Sequence, residues 1–233
     1  LYFDASLDKG MYREFIRDVS ANGIEVHALG GEPDWVLAEN RQKLEHFIRG
    51  IHMYNASVEY DERFRGIHLD IEPYLLEEWD QNKDRIVRQW VETVHWLKTA
   101  QIDPALRIGA DLPFWLDEHT IDIDGNKTAL SRWMMRQFDF VTFMAYRNQA
   151  DGEGGILDIT AEETAAGRED RTFFIVAVET GQTEEDYVTF RHVGESALFR
   201  ELEKVQTELK GQPGYLGFAV HHYASWKSLA EDE

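Results

Sequence analysis

Arg65-Gly-Ile-His-Leu-Asp-Ile-Glu-Pro-Tyr74 alternates ionisable with apolar side chains. On an extended strand His68, Asp70 and Glu72 share one face, and Ile67, Leu69 and Ile71 share the other. Pro73 stops the pattern. A strand at the surface would turn such a line of charge into water. A parallel strand buried on both faces would make it the floor of an active site.

Outward from this stretch, strand-like and helix-like segments alternate along the whole chain. Strands are read at 1–5, 24–30, 66–72, 107–112, 140–146, 173–180 and 215–223. Between them Ile86, Trp90, Val94 and Leu97 form one helical stripe, and Leu198, Leu202, Val205 and Leu209 another, the latter ended by Gly211 and Pro213. Helices are also predicted around 11–20, 40–52 and 128–137. Strict β-α alternation without a linker or repeat means a parallel sheet covered by helices. The expected fold is therefore α/β, a (β/α)8 TIM-type barrel forming one catalytic domain over 1–233, with a doubly wound open sheet as the alternative. Seven strands are visible, so the reading places the first barrel strand upstream of Leu1 and makes 66–72 the fourth. Gly152-Glu-Gly-Gly155 does not have the spacing of a phosphate loop.

The chain carries 44 acidic against 24 basic residues, a net charge of −20. That argues against nucleic acid or an anionic membrane as partner and leaves a neutral carbohydrate unopposed. No apolar run is long enough to insert in a membrane, and no signal peptide is visible, which leaves an extracellular or cell-surface location open. The absence of cysteine excludes thiolate chemistry and disulfides.

Every visible strand offers a polar group near its C-terminal end: Asp4, His27, Asp70 with Glu72, Asp111, Tyr146, Glu179 and His221. Barrel enzymes place their chemistry at that end. Any one of these could cap a helix or bond a loop. Two inward carboxylates two residues apart are costly without a task. An ionised Asp70 would raise the carboxyl pKa of the pair, so that Glu72 could hold a proton and give it to a leaving oxygen.

Gly66-Ile-His-Leu-Asp-Ile-Glu72 resembles the end of the Asp-x-x-Asp-x-Asp-x-Glu signature of the family 18 glycoside hydrolases, the chitinases and endo-N-acetylglucosaminidases. Phe143-Met-Ala-Tyr146 resembles that family's Met-x-Tyr. The resemblance implies that Glu72 is the general acid and that the substrate's own acetamido oxygen is the nucleophile, positioned by Asp70 and Tyr146. No cofactor or metal is required by this mechanism. The chain departs from the pattern at Arg65 and His68, which replace two earlier acids, and at Val220-His-His-Tyr223, where the family has a Trp.

Three alternatives stand beside this reading. Glu72 and Glu179 could be the acid and nucleophile of a two-carboxylate retaining glycosidase. His68, Asp70, Asp111 and His221 could gather a divalent metal for hydrolysis. The barrel could also bind glycan without cleaving it. His68, Asp111 and His221, with Asp4 and His27, are expected to line the substrate pocket. Trp79, Trp115 and Trp226, after strand ends, suit sugar faces or barrel packing, whereas Trp90, Trp96 and Trp133 read as core. Arg147 could meet a substrate carboxylate or an acidic loop. Asp122-Ile-Asp-Gly-Asn126 reads as an Asp-Gly turn, since Ser131 replaces the glutamate a calcium loop needs. Residues 182–195 read either as a mobile lid or as a static surface loop.

Overall fold

The alternating stretch pairs as a strand only over Gly66–Leu69. Asp70 and Glu72 therefore lie past the strand, in the turn that Pro73 opens as a short 3-10 helix, Pro73–Leu75. This computed structural model describes residues 1–100 and 102–231. Its contacts divide the chain into two units, Leu1–Ala110 and Asp111–Glu233.

In the first unit β1 (His27–Gly30), β2 (Gly66–Leu69) and β3 (Arg107–Pro113, which runs on into the second unit) are parallel neighbours in that order. Their register sets His27, Gly66 and Arg107 side by side, and Leu29, His68 and Gly109 two residues further on. Ile67 and Leu69 point the other way and are fully buried, each contributing about 2 kcal/mol by leaving water. The segment 1–5, expected as a strand, makes a single parallel bridge from Tyr2 to Leu29, flanked by the Phe3 amide donating to Leu29 O. Its pairing is too short to be a strand.

Helices α1 (Lys9–Ser20), α2 (Arg41–Ala56) and α3 (Trp79–Thr99) alternate with these strands. The predicted stripe is the buried face of α3, with Ile86, Trp90, Val94 and Leu97 all inside. Phe3 meets Phe64 and Tyr12 meets Tyr54 edge to face, and Tyr54 and Phe64 are tilted with centroids 5.1 Å apart. They weld α1 and α2 onto the start of β2.

The second unit opens with a hairpin, β4 (Thr120–Ile123) and β5 (Asn126–Ala129), then α4 (Leu130–Met135). Asp124 and Gly125 turn it with φ of 53° and 82°, the backbone that an Asp-Gly pair accepts most readily. β6 (Phe140–Met144), β7 (Phe174–Glu179) and β8 (Tyr215–His221) are parallel neighbours in that order, with α5 (Ile156–Ile159), α6 (Ala161–Asp170), α7 (Glu195–Leu209) and α8 (Tyr223–Glu231) between and after them. Leu198, Leu202, Val205 and Leu209 are the buried face of α7, and Gly211, at φ 86°, follows its end.

The mobile-lid reading of 182–195 is corrected here. Phe190 is 0% exposed, its amide bonds Glu179 O, and the Asn148 side chain donates to Asp186 O and Thr189 O. A segment with a buried aromatic anchor and paired backbone is fixed in place.

Candidate functional site

In the first unit, Glu72 leaves the sheet with φ −112° and ψ 71°, because Pro73 forces the chain into its turn. The Tyr74 hydroxyl donates to Glu72 Oε2. Tyr74 is itself packed edge-on against the buried Trp79, with centroids 6.3 Å apart. The half-buried carboxyl is thus held from one side by a phenol that an indole keeps in place. Trp79 takes the packing role of the two expected for it.

Asp70 is half-buried, with Oδ1 shielded from solvent, and its amide donates to Gly30 O. Gly31 passes so close that a Cβ there would lie 1.8 Å from Asp70 O. Only glycine lets the chain leaving β1 run against this backbone. The expectation that Asp70 and Glu72 share a face by strand alternation is corrected, since pairing ends at Leu69 and Glu72 has left the extended conformation.

His27 does not stand at a C-terminal strand end. It opens β1, level with Gly66, and its ring fills the space a side chain at 66 would need. Its ring lies 6.4 Å from that of His68. Burial, reinforced by His68, pushes His27 down to about 4, so it is neutral at physiological pH. Asp4 accepts both the amide and the hydroxyl of Ser6, and these bonds hold its carboxyl below the usual range. That is a local turn clasp.

In the second unit, β7 and β8 end level with one another, and their last residues, Glu179 and His221, are register partners. His221 Nδ1 donates to Glu179 Oε2 at 2.7 Å. The amides of Thr180 and Gly181 donate to Oε1 at 2.8 and 2.5 Å. Burial alone would raise Glu179, which is 8% exposed, but the His221 bond and the two amides outweigh it and bring the carboxyl below its ordinary value. The Tyr146 ring stacks on His221 with centroids 6.2 Å apart and planes 24° from parallel. The imidazole is exposed, with Nδ1 committed to the carboxylate.

Arg147 donates to Tyr146 O and lies between Phe114 and Tyr187, 4.9 and 5.2 Å from their ring centroids. Asp111 is half-buried on β3, and Trp115 packs edge-on against His119. Trp90 and Trp133 are core as expected, but Trp96 is half-exposed beneath the Arg41 guanidinium, and Trp226 donates to Glu195.

Each unit therefore brings together part of the expected set: Asp70 and Glu72 at the exit of β2, and Tyr146, Glu179 and His221 at the exits of β6, β7 and β8. Sequence reasoning missed Tyr74 and the Thr180 and Gly181 amides. Tyr74 had a signal, its place just after a proline that follows the acid. Among the described residues no three His, Asp or Glu side chains form a group that could hold a metal ion. A cavity of about 1030 Å³ between the hairpin, α4 and α6 is lined by none of the expected site residues.

No family model matches the sequence, and no curated protein does so at a significant level. Solved structures do match. A chitinase from Bacteroides thetaiotaomicron aligns with a TM-score of 0.54 over 96% of this chain and 77% of its own, at 9% identity. The GH18 chitinase ChiB from the chitin utilization locus of Flavobacterium johnsoniae aligns at 0.50 over 97% of this chain and 76% of its own, at 15% identity. Likeness at such identities concerns the backbone. The fold of this chain is similar to that of these family 18 glycoside hydrolase barrels.

Proposed function

We propose that the protein hydrolyses a glycosidic bond in an N-acetylated glycan, with Glu72 as general acid. The observation that carries this reading is the Tyr74–Glu72 bond. A phenol donating to Oε2 directs the carboxyl proton to Oε1, in a half-buried setting where it would meet a glycosidic oxygen. On proton transfer the bond from the anomeric carbon to that oxygen breaks, and the substrate's acetamido oxygen closes on the carbon. Water then attacks the anomeric carbon, the bond to the acetamido oxygen breaks and restores the acetamide, and Glu72 takes the water's proton. Asp70 and Tyr146 take the acetamide-positioning roles that the family resemblance implies. The likeness of the backbone to those of two chitinases supports a chitin-like substrate, hence a carbohydrate partner.

Glu179 is better suited to orienting His221 than to attacking carbon. Its Oε2 accepts from His221 while the Thr180 and Gly181 amides hold Oε1, which fixes the carboxylate against the imidazole. Glu72→Gln should abolish turnover of N-acetylglucosamine oligomers while leaving oligomer binding and the unfolding midpoint near wild type. Glucosamine oligomers, which lack the acetyl group, should not be cleaved by the wild type. A fully active Glu72→Gln enzyme would sink the assignment, and equal rates on acetylated and deacetylated oligomers would exclude substrate assistance.

A further inference from the structure

Arg63-Phe64-Arg65 enters β2 from the end opposite the acids. Arg63 is extended, at φ −89° and ψ 144°. Phe64 turns into the aromatic core at 1% exposure, so alternation sends both arginines to the other side. Their neighbours fix the backbone: the Arg65 amide donates to Val26 O, and Arg65 O accepts from the Arg107 amide. Both side chains are half-buried and line a cavity of about 590 Å³ together with His52, Tyr60 and Asp103.

The cavity sets two arginines on one wall. Several arginines elsewhere meet acids: Arg13 bonds Glu62, Arg85 bonds Glu78, Arg107 bonds Glu25, and Arg132 and Arg136 share Asp170. Arg63 and Arg65 form no ion pair among the described residues. Arg63 reaches only Val58 O, from Nε and Nη2 at 3.4 Å each, and Arg65 lies over the Tyr60 ring at 3.7 Å. Tyr60 is 70% exposed, so it holds the guanidinium in place at the cavity edge. His52 Nε2 accepts the Asp103 amide, which leaves the hydrogen on Nδ1. Asp103, the acid in the lining, accepts the Ala105 amide through Oδ1.

The geometry points to an anion site at the start of β2, in which Arg63 and Arg65 take the phosphate group of a ligand. Two guanidinium forks offer more donors than the two oxygens of a carboxylate satisfy, and a phosphate group matches them with three or four. Two half-buried cations that share a lining with the one acid Asp103 gain most from a dianion.

The test is calorimetric titration of the full chain with inorganic phosphate at low ionic strength. Saturable binding at one site is expected, weakened about tenfold or more in Arg63→Gln/Arg65→Gln and less in Arg65→Lys, which keeps the charge but loses the fork. Arg147→Gln, outside the cavity, should bind as wild type does. Absence of saturable binding, an unchanged double variant, or a loss confined to Arg147→Gln would each overturn the site. Should the double variant fail to fold, amide shifts of the wild type under phosphate decide: changes at 52, 63 and 65 support the site, and changes elsewhere overturn it.

Discussion

Tyr74 and Glu72 are two residues apart, and the proline between them brings phenol to carboxylate. Tyr74→Phe removes the donor and leaves the ring against Trp79. A hydrogen bond to an ionisable group is worth about a factor of ten, so kcat on N-acetylglucosamine oligomers should fall about tenfold with KM unchanged. A matching rise in KM would mean that Tyr74 binds sugar rather than positioning the acid. His27 gives a second prediction. The unfolded chain takes a proton at its ordinary 6.5, whereas the folded chain resists until about 4. Stability held by neutral His27 is thus complete above 6.5 and lost as pH falls through that window. Urea midpoints should show this loss in the wild type and a flatter profile in His27→Phe. Identical profiles would mean that the ring is not the buried, neutral group its packing over Gly66 implies.

At the scale of elements, the exit of β1 and the exit of β2 are locked backbone to backbone. Gly31→Ala would set a methyl 1.8 Å from Asp70 O, so the two segments must separate. The expected cost is about 3 kcal/mol, read as a lower urea midpoint, with activity falling beyond the loss of folded protein because the acid-bearing turn moves. A variant with wild-type stability and activity would show that the segments yield freely. Strand ends were the least legible feature of the sequence. The alternation over 66–72 is real, yet pairing stops at Leu69, and β1 starts at His27 rather than at 24, since pairing depends on the neighbouring strand as well as on a strand's own pattern. The helices α3 and α7 were legible because a four-residue stripe states locally which face is buried. The segment 182–195 was not, because Phe190 owes its anchorage to partners far away in sequence.

For the whole molecule, a charge of −20 on 233 residues opposes its own compaction. Salt screens that repulsion over a Debye length of about 10 Å at 0.1 M. The melting temperature should therefore rise by a few degrees between about 0.05 and 0.5 M sodium chloride, since surface ion pairs are few beside the unpaired acids. A melting temperature that falls with salt would mean that pairs such as Arg13–Glu62 and Arg132–Asp170 outweigh the excess charge.

What the sequence determined alone was the β-α order, the helix faces, and that acids lie near the ends of β2 and β7. These are properties of neighbours along the chain, where period and proline act within a few residues. The tertiary structure decided which partner each acid received. Glu179 finds His221 because β7 and β8 lie side by side in register, forty-two residues apart in the chain. His27 is neutral because packing took it out of water. Arg63 and Arg65 form no ion pair among the described residues, although Asp103 lines the same cavity. Composition counts charges, but only the folded chain sets the distances between them, and electrostatic energy depends on those distances.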